Sequence, residues 1–89
     1  FIPNTENLPE VNHLNLDTAD NRADNLEWCT RTYNGNYSPV FHAFEKALPG
    51  VPCEVYIPYC QRITNEVVDN GADKAELIAM AVAEIKDKQ

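Results

Sequence analysis

From Ser38 onward, apolar residues recur at spacings that predict regular elements. Val40–Leu48 reads as a short amphipathic helix closed by Pro49-Gly50. Val51–Ile57 alternates weakly and predicts a strand ended by Pro58. Tyr59–Asp69 carries Ile63, Val67 and Val68 at helical spacing, and Asn70-Gly71 supplies a stop. The last segment is the clearest. Asp73 and Glu76 make a capping-box pattern, and Leu77, Ile78, Ala81, Val82 and Ile85 fall on one face behind it. Lys74, Glu84, Lys86 and Lys88 point the other way, with Lys86 and Lys88 where the helix dipole favours positive charge. That apolar face either packs on a core or docks on a protein partner.

Before Ser38 the pattern breaks down. Asn4, Asn7, Asn12, Asn15, Asn21, Asn25, Asn34 and Asn36 crowd a turn-rich stretch, and asparagine favours turns because its side chain bonds nearby backbone and tolerates left-handed geometry. The chain therefore divides into residues 1–37 and a mostly helical part, 38–89. Its 89 residues make one small domain or two very small modules. A start at Phe1 rather than Met reads as a fragment or the processed part of something longer. No signal peptide or membrane-spanning run is legible.

Charge complicates any function involving nucleic acid. Seven basic and fourteen acidic side chains give a net charge of −7, and Arg22 and Arg31 are the only cations in the first 37 residues. Proteins that grip DNA alone usually present a basic patch. Cys29, Cys53 and Cys60 are an odd set without a CxxC pair, which fits reduced thiols in a cytoplasm; spacing leaves a Cys53–Cys60 bridge open. The set Cys29, His42, Cys53 and Cys60 fits no structural zinc spacing.

The chemistry-bearing stretch is Val11-Asn12-His13, then Asn21-Arg22-Ala23-Asp24-Asn25-Leu26-Glu27-Trp28-Cys29-Thr30, then Asn34. Together with Phe1-Ile2-Pro3-Asn4, these residues resemble the HNH endonucleases of phage and intron type in an unbroken register of about 34 residues. His13 lies twelve positions before Asn25 and twenty-one before Asn34, matching that family's His–Asn–Asn arrangement.

The resemblance implies an α+β protein with a small ββα-metal core followed by the helical part. Local signals agree: Glu10–Leu14 can form one strand, Leu26–Thr30 its return strand, and Thr30 the N-cap of a helix carrying Asn34. The implied activity is metal-dependent hydrolysis of DNA phosphodiester bonds, with His13 as general base. Asn12 and Asn34 take the positions of Mg²⁺ or Mn²⁺ ligands, Asn25 the position that holds the loop and orients the histidine, and Arg22 a phosphate contact. A bacterial or phage-infected cytoplasm is the implied setting. The alternative is a non-catalytic interaction or structural module of phage derivation on a degenerate HNH scaffold.

Several positions depart from that family. Asn12 stands where an aspartate is common, and Leu16 where a glycine turn is expected, a geometry leucine adopts only at a cost. Gly35 weakens the Asn34 helix and Pro39 is expected to end it. The family's upstream strand and helix are missing, so the module reads as truncated.

Overall fold

A computed structural model describes Asn4 and residues 7–88; Phe1, Ile2 and Pro3 of the motif lie outside the described residues. The chain is a small α+β protein: strand β1 (Glu10–His13), a single 3₁₀ turn (Ala23–Asn25), strand β2 (Leu26–Cys29), then helices α1 (Arg31–Ala47), α2 (Cys53–Asn70) and α3 (Lys74–Lys88). β1 and β2 pair antiparallel, with Asn12 opposite Glu27 and His13 opposite Leu26. Thr30 caps α1, its side chain accepting from the Tyr33 N–H.

Two expectations are overturned. Pro39 does not end the Asn34 helix, and Val40–Leu48 is not a separate element: α1 runs unbroken from Arg31 to Ala47, straight through position 37. Nor is Val51–Ile57 a strand, since α2 starts at Cys53 and carries Pro58 inside it. Burial explains both. Tyr33, Tyr37, Val40, Phe41 and Phe44 form a continuous buried stripe on α1, and Tyr56, Cys60, Ile63 and Thr64 do so on α2. Both prolines are exposed, as are Gly35 and Glu54 four residues before them. The carbonyls that lose a partner therefore face water rather than the core.

The stripes meet in an aromatic core. Tyr56 stacks on Phe44 at 5.6 Å and meets Phe41 edge-on at 5.3 Å. α3 packs against both helices through the predicted face: Ala81 and Ile85 are buried, and Leu77, Ile78 and Val82 lie against the same core. Gly71, left-handed at φ +63°, ends α2, and the Glu76 N–H donates to Asp73 Oδ1 at 3.3 Å at the start of α3. All three cysteines are free, so no Cys53–Cys60 bridge forms. Burial pushes the Cys29 thiol up to about 11 and Cys60 up to about 12, so neither is a ready thiolate.

Two tyrosines bolt α1 to the hairpin. Tyr37, fully buried, donates from its hydroxyl to the Leu14 carbonyl at 2.7 Å, and Tyr33 donates to Glu27 Oε2 at 2.9 Å. Burial raises both phenol pKa values, keeping the groups protonated as donors. The residue following His13 is thereby fixed to the helix that carries Asn34.

Candidate functional site

The loop between the strands is held by its own asparagines. Asn25, buried at its end, accepts from the Asn15 N–H and donates through Nδ2 to Asn15 Oδ1 and to the Asp20 carbonyl. Asn15 in turn donates to Asp20 Oδ2 at 3.0 Å, and the Leu14 N–H to the Asn25 carbonyl at 2.8 Å. Asn25 thus closes the loop. It is Asn21, from the middle of that loop, whose Oδ1 lies 3.0 Å from His13 Nε2. In the neutral ring, Nε2–H donating to that carbonyl oxygen leaves the lone pair on Nδ1.

His13, Asn12 and Asn34 line one surface cleft of about 170 Å³ together with Val11, Leu16 and Thr18. Asn12 and His13 are neighbours on β1, and Asn34 comes up from α1. Strand alternation sends the Asn12 and His13 side chains to opposite faces of the hairpin, with Glu27 on the Asn12 face. Asn12 is buried, with Nδ2 donating to Glu27 Oε2 at 2.8 Å; Asn34 Nδ2 donates to Glu10 Oε1 at 2.8 Å.

Arg22 stands elsewhere. Its guanidinium grips Asp20 with two contacts of 2.8 Å, and it borders a different cavity, beside Asp24 and Glu54. That fork holds the Asp20 carboxyl down at about 2. The cation linked to a cleft residue is Arg31: its side chain is 84% exposed, with Nε 3.4 Å from the same Glu10 that holds Asn34. Sequence reasoning missed Asn21, Glu10, Glu27 and Arg31. Glu10 and Glu27 were detectable in principle, because in an antiparallel pair with Asn12 opposite Glu27 both carboxylates share the Asn12 face.

Among the described residues, no group of three His, Cys, Asp or Glu side chains converges to hold a metal ion. What the lining offers instead is two carboxamides, Asn12 and Asn34, each with its nitrogen donating to a carboxylate and its oxygen as the remaining arm. Oxygen donors of this kind suit a hard divalent ion that keeps most of its water or takes phosphate oxygens. Turned toward the cleft, those two oxygens would supply part of such an ion's shell and leave the rest to water.

Comparison of the chain with family models, characterised proteins and solved structures finds no match. No helix among the described residues is long and apolar enough to cross a membrane.

Proposed function

We propose that this chain is a metal-dependent DNA endonuclease of HNH type, its hairpin and the first turns of α1 forming a ββα-metal core. One observation carries the reading: the base candidate His13 and the ligand candidates Asn12 and Asn34 line a single cleft. In this reading Asn21 holds His13 Nε2, and Nδ1 takes the proton from the water that attacks phosphorus. Asn12 and Asn34 supply carbonyl oxygens for Mg²⁺ or Mn²⁺, which when bound offers counter-charge to the phosphate and the departing oxygen. Asn25 keeps the loop closed, so that His13 and Asn21 stay in register. Arg31, rather than Arg22, is the cation placed to meet a phosphate.

A second reading rests on a specific observation, the combination of a −7 net charge with a ligand pair that carries no charge of its own. It makes the chain a non-catalytic interaction module on a degenerate scaffold of the same kind. Plasmid nicking separates the two. The endonuclease reading expects Mg²⁺- or Mn²⁺-dependent nicking that His13→Ala abolishes; equal inactivity of both proteins with metal present would leave the scaffold reading standing.

A further inference from the structure

Asn12 and Asn34 reach the cleft from different elements, yet each is held by the same device. A carboxamide can turn end for end, exchanging its oxygen and nitrogen, unless its neighbours discriminate between them. An ionised carboxylate discriminates fully, because it only accepts and so admits only the NH₂ arm. Asn12 Nδ2 donates to Glu27 Oε2 and Asn34 Nδ2 to Glu10 Oε1, both at 2.8 Å.

The two carboxylates are themselves anchored. Glu27 also accepts from the Tyr33 hydroxyl at 2.9 Å and from Gln61 Nε2 at 3.3 Å, while Glu10 faces Arg31 Nε at 3.4 Å. We propose that Glu27 and Glu10 are positioning residues that fix the orientation of the Asn12 and Asn34 amides, turning both carbonyl oxygens toward a divalent cation in the cleft. This inference rests on the metal-site reading above. It also accounts for how a ligand pair without formal charge can serve a cation: each amide is backed by a carboxylate that polarises it through its NH₂ arm.

The test is a Mn²⁺ titration of the whole chain, followed by paramagnetic broadening of the backbone amide signals of Asn12, His13 and Asn34. Glu27→Leu and Glu10→Leu are each expected to weaken Mn²⁺ binding by about tenfold or more. The discriminating arm repeats Glu27→Leu in an Asn12→Asp background. A carboxylate has two equivalent oxygens and no orientation to lose, so there the same change is expected to leave affinity within about twofold. A merely structural or long-range charge effect of Glu27 would instead weaken binding equally in both backgrounds, overturning the inference.

Should Glu27→Leu unfold the chain by orphaning Tyr33 and Gln61, Glu10→Leu decides alone, since Glu10 is tied to the surface pair Asn34 and Arg31. Wild-type broadening left undiminished in Glu10→Leu overturns the inference while sparing the metal site. Absence of broadening at the cleft in the wild-type chain removes the metal site and the inference with it.

Discussion

Leu16 sits at φ +62°, in the left-handed region where a leucine costs about 1–2 kcal/mol. The turn that demands this geometry starts at the site itself, since the Leu16 N–H donates to the His13 carbonyl at 2.9 Å. What retains the leucine is its side chain, which packs on the hydrophobic core and forms one wall of the cleft. Two substitutions separate these effects. Leu16→Ala loses the packing and keeps the strain; Leu16→Gly loses the packing and releases the strain. The glycine variant is therefore expected to be more stable than the alanine variant by about 1 kcal/mol, the reverse of the usual order. Urea unfolding of the two checks this, and an alanine variant at least as stable as the glycine one would show that position 16 is not left-handed.

At the scale of elements, α1 joins the site to the core, and Pro39 is the residue that argues against it. Its exposed position means that replacing it costs no packing, while alanine restores an N–H to the helix and removes the ring's clash. Pro39→Ala is expected to stabilise the chain by about 2 kcal/mol, the ~3 kcal/mol helix penalty less the entropy proline removes from the unfolded state. A loss of stability in a denaturant melt would mean that the chain turns at Pro39 instead of passing through it.

The same residue shows where sequence reading failed. Both strands, the Thr30 cap, the Gly71 stop and the inner face of α3 were legible because each depends on local chemistry or on one clean period. The join across Pro39 and the helical start of α2 were not, because tertiary burial of the Tyr33–Phe44 and Tyr56–Thr64 stripes outweighs the local proline penalty. For the candidate site, the placement of Asn12 and His13 on a strand and of Asn34 on a helix was legible. The Asn21 contact was not, since it arises only when the loop folds back on the strand, whereas the two glutamates follow once the strand register is known.

For the whole molecule, charge sets the terms on which a polyanion can be met. With fourteen acidic side chains against seven basic ones, the overall field opposes DNA, so the few cations near the cleft carry unusual weight. Arg22 is neutralised in place by Asp20, which leaves Arg31, held more loosely by the Glu10 that also binds Asn34. Arg31→Ala is expected to weaken binding of a short DNA duplex at low salt and to reduce the slope of log affinity against log salt by about 1, whereas Arg22→Ala leaves that slope unchanged. Fluorescence anisotropy across a salt series reads both, and identical slopes for wild type and Arg31→Ala would remove Arg31 from the interface.

The central claim is that His13 is a base acting on a phosphodiester in the cleft it shares with Asn12 and Asn34. Its most direct test is the rate of conversion of supercoiled to nicked plasmid, measured at low salt with Mn²⁺ for wild type and His13→Ala side by side. Metal-dependent nicking by the wild-type chain is expected, with a rate lower by about 10²–10⁴ in His13→Ala. Nicking that proceeds equally in the two proteins, or in neither at any salt concentration, would contradict it.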